Sequence, residues 1–326
     1  MGNFRPPQGS VLIPNRMHTF SAVVTSLRPR QWIKNLGTFT PLFFSGNLFN
    51  PAGFYWTAVA TVAFCAVASS GYLFNDVIDV RYDRTHPFKK FRAIASGAIP
   101  VPSAMALALA LALTGLTAAY WVNWQVFVAA LAFLIIRYTN TLVLRYVAII
   151  DILTIAIGYV IRVYAGVAAS GYYISIWLSL TVMSVSLLLA IGKHRADLTF
   201  AMKKRGKAGS FISEKVKYSE QMINTYTAMF ATSTIITYSY YSFLTELAGL
   251  GFFVGRDTWY ASSVFDRKWM MATIPFVIYG VMRYLQLIYE EGEGTLEKII
   301  TTDIPLMITF GGWSLVSFLV IYGIGG

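Results

Sequence analysis

The sequence predicts an all-α integral membrane protein with about nine transmembrane helices. Three observations predict it. Of 326 residues, 56% are hydrophobic and only 13% charged, with a mean hydropathy of +0.58, whereas a soluble domain carries roughly a quarter charged residues. Apolar stretches near the ~20 residues needed to cross a bilayer recur along the chain. The lysines and arginines gather in alternate connections, as they do on the cytoplasmic side of a membrane.

Taken in order, spanning helices are expected at 36–50 (a short one), 53–75, 101–121, 123–144, 147–169, 174–192, 222–247, 269–289 and 304–324. A tight turn at Val122-Asn123 separates the third from the fourth. Residues 1–30 read as a cytoplasmic N-terminal segment and 31–326 as a single transmembrane catalytic domain. The first twenty residues contain no continuous apolar core, so they are not read as a secretory signal, and the first spanning helix directs insertion. The N-terminal segment holds Arg5, Arg16, Arg28, Arg30 and Lys34. The second-third loop holds Arg81, Arg84, Lys89, Lys90 and Arg92, and the sixth-seventh loop runs from Lys193 and Arg195 through Lys203, Lys204, Arg205, Lys207, Lys215 and Lys217. Only Arg256, Arg267 and Lys268 stand out on the opposite side. The expected topology therefore has a cytoplasmic N-terminus, an external C-terminus and a location in the inner (plasma) membrane. The same bias accounts for the net charge of +11. No aromatic-basic module accompanies that charge, so nucleic acid is not an expected partner.

The single cysteine, Cys65, lies inside an apolar run and reads as packing, which leaves neither a disulfide framework nor a thiol metal site. The chemistry is concentrated in "YLFNDVIDVRYDRTHPFKKFRAIASG". Asp76, Asp79 and Asp83 follow at steps of three and four, so a helical extension presents all three on one face, with Asn75 beside them. Converging hard oxygen ligands suit Mg²⁺, which is usually completed by water and substrate phosphates. Arg84, Lys89, Lys90 and Arg92 are the corresponding anion ligands, and Arg92, followed by the small residues of "AIASG", is the strongest of them.

A second cluster, "LLLAIGKHRADLTF", falls on the same side. Lys193 and Asp197 share a face there, Arg195 points elsewhere, and His194 reads as a headgroup contact. Arg162 sits deep in the fifth helix, where an arginine is costly unless paired, and even an ion pair with one of the aspartates would place it beside the site. Asp151 and Arg145 read either as a local pair or as part of the same polar floor. The acidic stretch "YEEGEGTLEKIITTDIPL" fits a gate, a support or an ordinary loop equally well.

These residues resemble a known family. "NDVIDVRYD" is similar to the N-D-x-x-D-x-x-x-D signature of the UbiA-type prenyltransferase superfamily, placed after the second helix as in that family. Most such enzymes carry a further D-x-x-x-D after the sixth helix, where this sequence has "GKHRADL". That departure resembles the polyprenyl (decaprenyl)-phosphate phosphoribosyltransferase branch. So do "RPRQWIKNLGTFTPLFFSG", "RAIASGAIP", "DILTIAIGYVIRVYAG" and "YGVMRYLQLIYEEGEG", and the likeness runs over about residues 28–325. Arg145 stands where the branch usually has lysine, and Asn140 where it usually has tyrosine.

The resemblance implies a UbiA-type helical bundle with a cytoplasm-facing polar cavity, and Mg²⁺-dependent transfer of 5-phosphoribose from 5-phosphoribosyl diphosphate (PRPP) to polyprenyl phosphate, making a precursor for cell-wall arabinan. Asp76, Asp79 and Asp83 would be catalytic and, with Asn75, would hold the metal. The implied substrate-binding set is Lys34, Asn75, Arg84, Lys89, Arg92, Arg145, Arg162, Lys193, Arg195 and Asp197. The acceptor is already an anion, so no strong general base is needed. A prenyltransferase using a prenyl diphosphate donor and an aromatic acceptor is the nearest alternative, and the missing second acid motif counts against it. A transporter or flippase would place its charges near the midplane, whereas these lie mostly at helix ends. A homo-oligomer is compatible with the sequence.

Overall fold

The structure is a computed structural model of the chain and describes residues 19–85, 89–205, 218–244, 266–291, 299 and 302–324. Arg5, Arg16, His86, Lys207, Lys215, Lys217 and Arg256 lie outside these residues, as does most of the acidic stretch near 292–301. The described residues contain helices and no strand: α1 (Thr19–Leu27), α2 (Thr40–Phe44), α3 (Pro51–Ile78), α4 (Val80–Thr85), α5 (Val101–Val122), α6 (Trp124–Leu142), α7 (Ile150–Ser170), α8 (Ile176–Arg205), α9 (Glu220–Leu244), α10 (Ile274–Gln286) and α11 (Ile304–Phe318). A 3-10 helix over Pro29–Phe39 joins α1 to α2.

Seven helices among the described residues are long and apolar enough to cross a membrane, where nine were expected. The two that fall short do so for different reasons. The stretch expected as one helix over 36–50 is divided: the 3-10 helix ends at Phe39, α2 spans only five residues, and turns follow. Pro41 and the positive-φ Gly46 (φ 78) prevent one continuous α-helix. Laid end to end, the 3-10 and α pieces measure about 22 and 8 Å, close to the ~30 Å hydrocarbon thickness. The other, α9, has 25 residues but is rich in Thr, Ser and Tyr. Many of its hydroxyls, including those of Thr227, Thr234 and Ser242, donate to carbonyls one turn back. Helical hydrogen bonding thereby satisfies groups that lower its hydropathy.

Local chemistry sets the boundaries. Asn50 starts α3 by accepting from the Ala52 and Gly53 amides (3.1 and 3.3 Å), with Pro51 at the first helical position. Asn123, extended between α5 and α6, caps α6 through Val126 N (2.8 Å) and donates to Ala168 O of α7 (2.7 Å).

With no water to drive burial, close packing of small residues holds membrane helices together. On α5, Ala104, Ala108, Ala112, Gly115 and Ala119 are buried, and a Cβ at Gly115 would strike the side chain and backbone of Val67 on α3. The 3-10 segment packs on α3 and α7. Trp32 Nε1 donates to Ser69 Oγ (3.0 Å), and the Thr38 backbone lies so close to Gly166 that no Cβ fits there.

The helices follow one another around the bundle, α8 lying between α7 and α9, and α10 between α9 and α11. Phe44 packs against Tyr241 of α9 and Trp313 of α11 (5.6 and 6.0 Å), bringing the first and last elements together. Alternating chain direction places the ends of α3, α6 and α8 beside the starts of α7, α9 and α11. Most of the polar candidates collect at that end.

Candidate active site

α3 carries Asp76 and stops at Asp79 (φ −85°, ψ 2°), and the chain resumes as α4, which carries Asp83. This break divides the three carboxylates. Asp76 and Asp83 are buried and converge on Arg92, whose Nη1 donates to Asp76 Oδ1 at 3.1 Å and to Asp83 Oδ2 at 2.7 Å. Arg28 Nη2 also donates to Asp76 Oδ1, at 2.7 Å. Asp79 turns to Arg145, which grips it with both fork nitrogens, Nη1 to Oδ2 at 2.9 Å and Nη2 to Oδ1 at 2.8 Å. Asn75 Nδ2 adds a donor to the same carboxylate at 3.2 Å. The acid stripe is thus two pockets, each filled by guanidinium.

Among the described residues, no group of three or more His, Cys, Asp or Glu is placed to hold one ion. The local chemistry nevertheless suits a cation. Two buried carboxylates already bracket the positive Nη1 of Arg92, and Asp83 Oδ1 is buried without any hydrogen-bond partner. A divalent ion between Asp76 and Asp83 would take over the role that Arg92 fills.

Arg92 is placed by the turn that follows α4. Arg84 Nε donates to Ala95 O (3.2 Å), Ser96 N to Arg92 O (2.8 Å), and the buried Ala93, Ile94 and Ala95 hold the turn in the core. Arg84 therefore shapes the loop and contacts neither carboxylate pair. Lys89 is partly buried over the Tyr82 ring (5.5 Å), within electrostatic reach of Asp83, Asp79 and Asp197. Burial, followed by the neighbouring Arg92, holds its pKa below the ordinary lysine value. Burial also works against the Arg145 charge, but its bonds to Asp79 and Tyr146 outweigh this and leave its pKa raised.

Arg145 and Asp151 are not a local pair, because Arg145 belongs to Asp79. Asp151 Oδ1 accepts from Asn140 Nδ2 (3.0 Å), and its Oδ2 lies 3.1 Å from His194 Nε2. His194 also packs against the Tyr218 ring at 5.1 Å, so it serves this half-buried network and not a headgroup contact. On α8, Lys193 and Asp197 are exposed, while Arg195 is buried. Arg195 Nη2 is 3.3 Å from Glu220 Oε1, and its guanidinium lies over Tyr289 (4.4 Å); its Nε and Nη1 are buried without an acceptor. Lys34 is half-buried on the 3-10 segment.

Among the described residues Arg162 has no aspartate partner. Its Nε donates to Asn35 Oδ1 (2.6 Å), its Nη1 to Gly158 O (2.5 Å), and its guanidinium lies over Phe133 and Tyr159 (4.5 and 5.7 Å). It thus stands deeper in the bundle than the carboxylates. Two cations were not among the expected site residues. Arg28 lies 48 positions from its partner Asp76, and the residue pair Arg28-Pro29 was its one local sign. Arg28 adopts a left-handed backbone (φ 55°, ψ 60°) before proline, which a residue takes up only where its surroundings hold it there. Arg137 lies inside a stretch otherwise apolar enough to span.

The UbiA prenyltransferase family model matches residues 37–291. The chain belongs to the UbiA prenyltransferase family. Relatives over nearly the whole length include the decaprenyl-phosphate phosphoribosyltransferase of Mycolicibacterium smegmatis, 32% identical over 299 residues, covering 90% of each chain. The protein of the same name from Mycobacterium tuberculosis is 29% identical over 303 residues, covering 90% of this chain and 92% of the relative. Among solved structures, a UbiA homolog from Archaeoglobus fulgidus bound to GPP and Mg²⁺ superposes with a TM-score of 0.65 at 20% identity, over 92% of this chain and 99% of that one. The fold is therefore the family's fold, in a multi-pass membrane protein.

Proposed function

We propose that this chain transfers 5-phosphoribose from 5-phosphoribosyl diphosphate to the phosphate of a polyprenyl phosphate, releasing diphosphate. The observation that carries this reading is the near full-length likeness to relatives named decaprenyl-phosphate phosphoribosyltransferase, at up to 32% identity. The distribution of charge supports it. A second acid patch is replaced by Lys193 and Arg195, and Arg195 keeps two buried N–H-bearing nitrogens without an acceptor, as suits a site that gathers several phosphates.

Asp76 and Asp83, with Asp79 and Asn75 behind them, would hold Mg²⁺, which supplies charge neutralisation for the departing diphosphate. Arg92 and Lys89 line the same approach and bind its non-bridging oxygens. An oxygen of the acceptor phosphate attacks the anomeric carbon of the ribose. The bond from that carbon to the diphosphate oxygen breaks, and its electron pair leaves with the diphosphate. The nucleophile is an anion before it arrives, so no residue has to remove a proton. The His194–Asp151 pair accordingly stays outside the chemistry. Residues 31–326 act as one catalytic unit behind the segment 1–30, with the site on the cytoplasmic face of the inner membrane, where the water-soluble donor is available. The product is a precursor for cell-wall arabinan.

The test supplies purified protein with PRPP labelled in the ribose, Mg²⁺ and decaprenyl phosphate, and follows label into an organic-extractable lipid. Labelling that disappears with D76N and with a chelator supports the reading. Turnover of a prenyl diphosphate onto an aromatic acceptor, with no lipid labelling from any polyprenyl phosphate, refutes it.

A further inference from the structure

Arg137 lies in α6, five residues before its end, within a helix apolar enough to span a membrane. Its side chain runs along Gly71, and its guanidinium sits over the Tyr72 ring at 5.4 Å. Among the described residues it has no hydrogen bond and no ion pair. Arg28 uses the same ring, at 5.3 Å, but Asp76 neutralises it. One turn earlier on α6, Phe133 supports the guanidinium of Arg162, whose acceptors, Asn35 Oδ1 and Gly158 O, are both neutral. Two arginines, Arg137 of α6 and Arg162 of α7, therefore stand against an aromatic wall, and among the described residues neither is paired with a carboxylate. An uncompensated arginine inside a spanning helix is costly, and such residues mark ligand sites. The mutual repulsion of the two cations and their lost hydration are both relieved by one ligand, an anion.

Depth selects which anion. Tyr72 precedes Asp76 by one turn of α3, about 6 Å along the axis, so Arg137 lies one turn to the membrane side of the carboxylates. We infer that Arg137, backed by Arg162, is a subsite for the phosphate monoester of the lipid acceptor. The identity of that lipid rests on the reaction proposed above. The donor also carries a phosphate monoester, on its ribose, but that water-soluble molecule is held at the polar end by Arg92 and Lys89. A phosphate whose tail stays among the helices reaches Arg137 from the apolar side. Seated there, it lies one helical turn from the diphosphate site, close to the ribose that bridges them.

The experiment measures binding and needs no turnover. Farnesyl phosphate, farnesol and ribose 5-phosphate are titrated against detergent-purified wild type, R137Q and R137K, read by the shift in melting temperature, with R137N in reserve should R137Q not fold. The expected result is that farnesyl phosphate stabilises the wild type, that its Kd rises about tenfold or more in R137Q, and that R137K recovers part of the loss. Farnesol should bind none of them preferentially, and ribose 5-phosphate should bind all three alike. Equal farnesyl phosphate affinity in wild type and R137Q, or none in the wild type, overturns the inference. So does loss of ribose 5-phosphate binding alone, which would give Arg137 to the donor. If the binding pattern holds while the wild type transfers no phosphoribose, the reaction is wrong and the anion subsite stands.

Discussion

Removing Arg92 tests the two-pocket description of the carboxylates directly. In R92Q, Asp83 loses the cation 2.7 Å from its Oδ2 and is left with a buried Oδ1 that already has no partner, while Asp76 keeps Arg28. The Asp83 side chain is 2% exposed and that of Arg92 31%. Breaking a buried pair by deleting one member costs about 3–5 kcal/mol, and the partial exposure of Arg92 places this case near the lower figure. Both contacts come from one nitrogen, Nη1, so a lysine ammonium reaching the same point can restore them; R92K should recover about half of the loss. The assay is thermal unfolding in detergent with and without Mg²⁺. R92Q should melt several degrees below the wild type in chelator, and Mg²⁺ should raise R92Q more than the wild type, because the ion occupies a place the guanidinium has vacated. An R92Q melting point within a degree of the wild type, or an equal Mg²⁺ shift in both, would refute the reasoning.

Other consequences can be checked alongside. G166V drives a side chain into the Thr38 backbone and should abolish folded, monodisperse protein, whereas G311V, where no atom lies within reach of a Cβ, should purify normally; size-exclusion chromatography distinguishes them. Asp303 caps α11 through Leu306 N (2.9 Å) and pairs with Arg283 (2.6 Å), which holds its pKa below the usual carboxylate value. The stabilisation is present above the unfolded pKa, about 3.9, and is lost as pH falls through the lower folded value, so acid should loosen the α10–α11 joint and R283Q should flatten that dependence in melts below about pH 4. Because the Lys89 pKa is lowered, donor affinity should weaken on the alkaline side earlier than for an ordinary lysine, and K89R should remove this limb from the pH profile of KM for PRPP.

The sequence made the helices legible wherever an apolar run had clean ends, as in α5 and α6, which Asn123 separates. It also made the three aspartates visible, because their spacing is local. It did not show that the Asp79 carboxylate turns away from the other two, since its partner Arg145 lies 66 positions away. Arg28 and Asp76 are hidden from each other for the same reason. Arg162 was recognised as buried, but an ion pair with an aspartate, one of the readings open to it, is not what the structure shows: two neutral oxygens and two rings surround its charge. Arg137 was passed over because one cation barely lowers the mean hydropathy of a spanning window.

The ring contacts that bring the first and last helices together also bear on how the proposed lipid acceptor would get in and out. Tyr322 donates to Phe43 O (2.8 Å) and accepts from Leu48 N (3.1 Å), while Phe49, Phe318 and Tyr322 interlock beside it. At about 0.5–1.5 kcal/mol for each ring pair, this side of the bundle is a zipped seam. Traffic in a molecule tens of carbons long would have to unzip and rezip it at every turnover. A doorway between helices that meet through aliphatic side chains asks for no such work, and the seam is better understood as the hinge post that stays still while the door opens elsewhere.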